Sequence, residues 1–201
     1  MADLLQQLFG WICGQNPSHT WAPGGELLPF CQRCTGLYAG AGVAALWHLL
    51  LRPAPTNRWL WLNGGFLLFM VPFGFHWLPQ GPVLRAITGV LFGFGLVAFL
   101  RLTIRSGTGV PPIQLRGDRP DPCPTTRRGY WLTLPALLAL VPWLGAQGNA
   151  LAANTLTLLA ALGALALFSL VLANAVLLTP GLIRWARRSN PSTPEPRATR
   201  S

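Results

Sequence analysis

The chain has 201 residues, of which 51% are hydrophobic and only 10% are charged. So few charged side chains cannot cover a core of this size, which excludes an ordinary soluble domain and indicates an integral membrane protein. The basic residues are all arginine and give a net charge of +10, but they are spread along the connections between apolar runs, so we expect no nucleic-acid partner.

The first 34 residues are predicted to form a segment in the membrane interface. No Lys or Arg precedes Arg33, and the apolar stretch Leu8–Cys13 is too short for the hydrophobic region of a signal peptide, so we expect no cleaved signal. Apolar residues at helical spacing predict a short amphipathic element here. They are Leu4, Leu5, Leu8, Trp11 and Ile12.

Five apolar runs follow this segment, and a helix needs roughly 20 such residues to cross the hydrocarbon core. They are Thr35–Leu51, Trp59–Leu78, Val83–Ile104, Tyr130–Ala146 and Leu151–Leu178. The sequence therefore predicts an all-α, polytopic membrane bundle of about five transmembrane helices within residues 35–188. A loop is predicted at 106–129, and the composition of residues 189–201 is typical of a disordered tail.

The distribution of arginine predicts an orientation, because cytoplasmic connections are enriched in positive charge. If all five runs cross the membrane, only Arg33 and Arg85 lie on one side, and the other arginines share the opposite side. We therefore expect a multi-pass protein of the cell membrane with its N-terminus outside and its C-terminus in the cytoplasm.

Three cysteines and a histidine before the first run have the residue types of a Cys3His zinc site. Their spacing is C-x5-H-x11-C-x2-C, and the residues are Cys13, His19, Cys31 and Cys34. Zinc prefers four thiolate or imidazole ligands, and one C-x-x-C pair supplies two of them. The spacing thus makes zinc a possible cofactor.

The same cysteines allow two other interpretations. An outward-facing Cys31/Cys34 pair at a helix start suits a membrane thiol-disulfide oxidoreductase, which would pass electrons to a quinone. Alternatively, the cysteines are purely structural and fix the N-terminal segment onto the bundle. The sequence leaves all three interpretations open, and with them the question of enzymatic activity.

Two helix starts repeat one pattern, Thr35-Gly36 with Gly40 and Thr88-Gly89 with Gly93. Glycines at this spacing let membrane helices approach closely, which explains the pattern by packing. Packing does not explain the arginine just upstream of each, because a helix N-terminus repels cations. We therefore predict a site for a phosphate, a carboxylate or a polar lipid head group, with ligand-binding residues Arg33, Tyr38, His76 and Arg85.

The motif C-x-Q-x-P followed by P-x-C-x-R-C-T-G-x-Y-x-G, within residues 13–40, resembles the signature of a prokaryotic family of small membrane proteins known as domain of unknown function 2085. A second stretch resembles that family's second motif through Arg85, Thr88, Gly89 and Gly93. The chain departs from the family pattern at Gly14, where histidine is usual, at His19, where arginine is expected, and at His76, where an acidic residue is common. The resemblance implies a bacterial or archaeal membrane protein with no established activity.

Overall fold

A computed structural model describes residues 7, 9–51, 57–75, 77–105 and 124–189, and over this part of the chain it contains five α-helices and no β-strand. The helices are α1 (Gln32–Leu51), α2 (Asn57–Gly74), α3 (Pro82–Arg105), α4 (Pro124–Ala146) and α5 (Ala150–Ser189). The all-α prediction is confirmed for these residues. Most of the predicted loop, residues 106–123, and the tail from residue 190 lie outside the described residues.

Three helices are long and apolar enough to cross a membrane. These stretches are Pro82–Leu102, Gly129–Ala146 and Ala150–Thr179. The first two helices are shorter, with 20 residues in α1 and 18 in α2. Each also carries polar side chains along its length, among them Arg33 and His48 in α1 and Asn63 in α2. The membrane class is thus supported by three helices, and the five-span bundle and its orientation stay predictions.

The most extensive helix pair is α1 with α3, and it is built on glycine. A Cβ on Gly36 would collide with the carbonyl oxygen of Ala86, and a Cβ on Gly89 would collide with that of Arg33. Gly40 and Gly93 repeat this reciprocal contact one turn further along. Because both contacts advance in the same direction along each helix, α1 and α3 run parallel, and their N-terminal ends lie side by side.

The opposite side of α1 packs against α5. Gly163 of α5 lies so close to α1 that a Cβ on Gly42 would sit 2.8 Å from its Cα atom. Apolar side chains fill the space between the helices, and they include Val90, Phe94, Val141 and Leu156, all of which are fully buried. This core holds α1 in the centre of the bundle, with α3 and α5 on either side.

The stretch before α1, which we call the N-terminal loop (residues 13–31), covers the end of the bundle where α1 and α3 begin. A Cβ on Gly145, near the end of α4, would lie 2.5 Å from the ring of Trp21. Gly24 contacts the backbone at Ala150, where α5 begins. The loop therefore seals this end through contacts with α4 and α5 as well as with α1.

Two helices extend beyond their predicted runs. Helix α5 ends at Ser189 instead of Leu178. Helix α4 begins at Pro124, inside the stretch predicted as a loop, and proline is favoured in the first turn because its missing N–H would have no helical partner. In the predicted interfacial element, Leu4, Leu5 and Leu8 lie outside the described residues. Trp11 is 94% exposed and Ile12 is 57% exposed, and the location of this segment in the interface stays a prediction.

Candidate metal centre and its surroundings

The N-terminal loop has a defined fold despite its irregular sequence. A 3-10 turn at Pro17–His19 is capped by Asn16, whose side chain accepts a hydrogen bond from the Ser18 N–H at 3.1 Å. Further along, the Leu28 N–H donates to the Trp21 carbonyl oxygen at 2.9 Å, so the chain doubles back on itself. An isolated antiparallel bridge between Thr20 and Cys31 closes the hairpin.

This hairpin returns Cys31 to Cys13. The Cys31 N–H donates to the Cys13 Sγ at 3.3 Å, and the Gln15 side chain donates to the Pro29 carbonyl oxygen at 2.9 Å. Gln15 has a φ of +39°, a left-handed conformation that is costly for a residue with a Cβ. The hydrogen bond to Pro29 helps to hold this sharp turn directly after Cys13.

Three sulfur atoms converge at this point. The Sγ atoms of Cys13, Cys31 and Cys34 all lie within 4.8 Å of one another. Cys13 is buried, Cys31 and Cys34 are half-buried, and all three are free thiols. Cys34 joins them because it occupies the third position of α1, one turn after Cys31. The structure thus brings together three of the four predicted metal ligands.

The pKa values of Cys13 and Cys31 are shifted in opposite directions. Hydrogen bonds from Cys31 and then Cys34 stabilise the thiolate of Cys13 and hold its pKa far below the usual range, although burial acts in the opposite direction. The pKa of Cys31 is raised, chiefly because its thiol is the donor toward Cys13. The lowered pKa favours the thiolate of Cys13, which is the form of cysteine that binds metal ions.

His19, the fourth predicted ligand, is not part of this cluster. It lies half-buried in the 3-10 turn at Pro17–His19, outside the group of side chains whose ligand atoms come together. Among the predicted head-group residues, Tyr38 is 4% exposed and packs between the rings of Phe9 and Phe30, with centroid distances of 5.7 and 5.5 Å. His76 lies outside the described residues.

Arg33 reaches away from the sulfur atoms toward the end of α2. Its Nη2 donates to the Phe73 carbonyl oxygen at 3.0 Å and to the Gln80 Oε1 at 2.9 Å. Gln80 also donates to the Phe73 carbonyl oxygen at 2.7 Å. Arg85, in the first turn of α3, donates from Nη1 to the Oε1 of Gln32 at 3.3 Å. Both arginines therefore lie at one end of the helix pair with amide or carbonyl oxygens as acceptors.

A second polar cluster, which the sequence did not reveal, lies toward the other end of α1 and α3. His48 is buried against the rings of Trp59 and Tyr130, and the Tyr130 hydroxyl donates to Asn63 at 3.4 Å. Arg101 donates to the His48 carbonyl oxygen at 3.3 Å. The sequence shows no partner for His48 and predicts only a packing role for it. Four helices contribute to this cluster, so no local spacing could have identified it.

Comparisons with known proteins agree with the membrane assignment. A family model described as "Predicted membrane protein (DUF2085)" matches residues 13–99, a range that contains the three clustered cysteines and both Arg33 and Arg85. An uncharacterized protein of the archaeon Methanothermobacter thermautotrophicus is 33% identical over 101 residues, covering 47% of this chain and 88% of the archaeal protein. No solved structure matches the chain.

Proposed function

The chain belongs to the family of predicted membrane proteins described by DUF2085, and from this premise we propose that it is an integral membrane protein that holds a zinc ion on Cys13, Cys31 and Cys34. The observation that carries the proposal is the convergence of three free sulfur atoms within 4.8 Å of one another. The site joins an otherwise irregular loop to the start of α1.

The number of converging cysteines favours metal over a simple disulfide. A disulfide joins two sulfur atoms and leaves the third without a role, whereas a metal ion takes all three as ligands. Thiolates select soft or borderline ions such as zinc. The hydrogen bonds from Cys31 and Cys34 lower the pKa of Cys13, which favours this sulfur as the first thiolate ligand of a metal ion.

Three protein ligands leave one of the four tetrahedral zinc positions for another group. Structural zinc sites are normally closed by four protein ligands, and sites with three keep a position for water or substrate. His19 stays a predicted fourth ligand, because its turn belongs to the same N-terminal loop. If H19A retains zinc, the fourth group on the zinc ion is one that His19 does not supply.

Metal analysis of the full chain, purified in detergent, tests the proposal. We expect about one zinc ion per chain, a loss of at least about tenfold in C13S and C34S, and full retention in C123S. Cys123 is the matched control because it is the remaining cysteine of the chain and follows Cys34 at a long distance in sequence.

Thiol counting separates zinc binding from thiol-disulfide exchange by Cys31 and Cys34. A zinc protein yields four titratable thiols once it is denatured with a chelator, because the metal protects the cysteines from oxidation. Zinc-free protein with two thiols missing, restored by reductant, would instead identify the Cys31/Cys34 pair as redox-active. Equal zinc content in wild type, C13S and C34S would contradict the proposed ligand set.

We further propose that all five helices cross the membrane, with the zinc site outside. The parallel pair α1 and α3 supports this, because α1 lies alongside α3 from the contact of Gly36 with Ala86 to the hydrogen bond between Arg101 and the His48 carbonyl oxygen. Enzymatic reporter fusions after Ser106 and Ser201 should both act as cytoplasmic. A fusion at either position that behaves as external would contradict the five-span topology.

A further inference from the structure

Arg33 and Arg85 form a second site, distinct in position and chemistry from the three cysteines. We propose that their two guanidinium groups together bind a phosphate group, supplied by an anionic lipid head group or by free phosphate. The proposal goes beyond zinc binding and does not depend on it, because neither arginine contacts a sulfur atom among its described hydrogen bonds.

The two arginines originate close together. Gly89 packs directly on the backbone carbonyl of Arg33 and lies one helical turn after Arg85. The Arg85 side chain then reaches Gln32, the residue next to Arg33, at 3.3 Å. Both arginines are half-buried. The parallel packing of α1 and α3 thus forces two cations into one region at the end of the bundle.

No carboxylate balances this charge within the described residues. Glu26 is the one acidic side chain that they include, and it lies exposed in the N-terminal loop. The acceptors that the structure gives Arg33 and Arg85 are neutral, namely a backbone carbonyl and two glutamine side chains. Half-buried charges in a membrane protein without an opposite charge are costly, and an anionic ligand removes that cost.

Both guanidinium groups also have donors to spare. An arginine offers five N–H donors, and the described hydrogen bonds use only Nη2 of Arg33 and only Nη1 of Arg85. The Arg33 Nε is buried and has no hydrogen-bond partner among the described residues. Unused donors on two arginines at the same end of the α1/α3 pair match the several oxygen atoms of one phosphate group.

The helix backbones add positive electrostatic potential to that of the two arginines. Arg33 and Arg85 lie in the first turn of α1 and α3, where each helix carries a partial positive charge. Because the two helices are parallel, their positive ends lie together, and a bound anion stabilises both. The glutamines that hold the side chains, Gln32 and Gln80, orient the guanidinium groups without neutralising them.

Native mass spectrometry of the full chain, exchanged from detergent into mixed micelles with phosphatidylglycerol or phosphatidylcholine, tests the lipid source. We expect wild type to retain phosphatidylglycerol about tenfold better than R33Q or R85Q, since each variant removes one charge-assisted contact. The exposed Arg58 in α2 supplies the control, and R58Q should bind as wild type does. Phosphatidylcholine, whose choline group cancels the phosphate charge, should be retained weakly by all.

Inorganic phosphate tests the other source, through the melting temperature of the same proteins in detergent. A rise in wild type and R58Q that is absent in R33Q and R85Q assigns the site to phosphate in general, and lipid retention without this rise assigns it to the head group. Equal responses of all variants to both probes would overturn the proposal. R33K and R85K guard against misfolded glutamine variants, because they keep the charge and should bind severalfold more weakly than R58K.

Discussion

The two ends of the α1/α3 pair both gather polar side chains, but they satisfy them differently. At the starts of the helices, cysteine sulfur atoms converge without a disulfide, and Arg33 and Arg85 keep unused donors. Toward the other end, the side chains of Asn63 and Tyr130 are buried among neighbouring helices and hydrogen-bonded to each other. Unused hydrogen-bond donors and unbonded sulfur atoms indicate a ligand, whereas buried groups that are hydrogen-bonded to each other hold helices together.

The difference also follows the backbone. The N-terminal loop that covers the first end is made of 3-10 turns and a single bridge, so it depends on a few contacts. The second end is held by side chains from regular helices. We therefore expect substitutions at the first end to alter ligand binding and those at the second end to alter stability. Predictions follow in order of decreasing effect on free energy.

The largest effect is expected at the close glycine contact between α1 and α3. In G36A, the new Cβ would collide with the Ala86 carbonyl oxygen, which belongs to the backbone and cannot move aside by itself. The cost should be about 3 kcal/mol of unfolding free energy, and zinc should be lost with it because α1 carries Cys34. Thermal and denaturant unfolding in detergent micelles would measure this loss.

Gly65 provides the control for that substitution. It lies exposed inside α2, and a Cβ there meets no atom within 4 Å. G65A should be neutral or stabilise the protein by about 0.5 to 1 kcal/mol, because alanine favours helix more than glycine does. Equal stability of G36A and G65A would contradict the close α1/α3 contact.

A smaller loss is expected at the enclosed polar cluster. Asn63 is fully buried, donates to the Trp59 carbonyl oxygen at 2.9 Å and accepts from the Tyr130 hydroxyl. N63A leaves that hydroxyl without its acceptor and should cost about 2 kcal/mol. Zinc content should remain at the wild-type level, which separates the two ends experimentally.

The exposed Asn154 in α5 is the matched position for this test. N154A should change the unfolding free energy by less than about 0.5 kcal/mol, as expected for an exposed site without buried partners. A zinc loss in N63A would contradict the independence of the two ends. A stability loss in N154A as large as that in N63A would contradict the specific role of the buried Asn63.

The smallest effect concerns the N-terminal loop itself. Chelating the zinc should release the loop locally and raise the rate of cleavage after the exposed Glu26 by a glutamate-specific protease about tenfold, equivalent to about 1.4 kcal/mol. C13S, which lacks one of the proposed zinc ligands, supplies the reference, and its cleavage rate after Glu26 should not change with the chelator. Cleavage at Glu26 that ignores the chelator would argue against a metal that anchors the loop.

The sequence predicted the helices more completely than the sites. Long apolar runs bounded by proline, glycine and arginine predicted five helices, and each is found, although α4 begins at Pro124 rather than Tyr130 and α5 ends at Ser189 rather than Leu178. The repeated glycine pattern predicted close helix contacts, because small residues at that spacing let backbones approach, and the structure shows that these contacts join α1 to α3 in parallel. These features depend on local spacing, which a sequence contains in full.

The site residues could be predicted where they lie close together in the sequence or are joined by a short loop, and not elsewhere. Cys31 and Cys34 are one turn apart, and the proline- and glycine-rich loop needed an anchor at Cys13, so their convergence was expected. His19 was predicted to join them, but the 3-10 turn that positions it depends on the cap at Asn16 rather than on ligand spacing. The contact of Tyr130 with Asn63 joins distant helices and has no counterpart in the sequence pattern.

The central claim is that three cysteines and no fourth thiol bind zinc at the start of α1. Zinc X-ray absorption of the full chain in detergent measures this directly. The account predicts three sulfur neighbours at about 2.3 Å and one nitrogen or oxygen neighbour at about 2.0 Å, with an unchanged spectrum for C123S. Four sulfur neighbours, or a zinc surrounded only by nitrogen and oxygen, would contradict it.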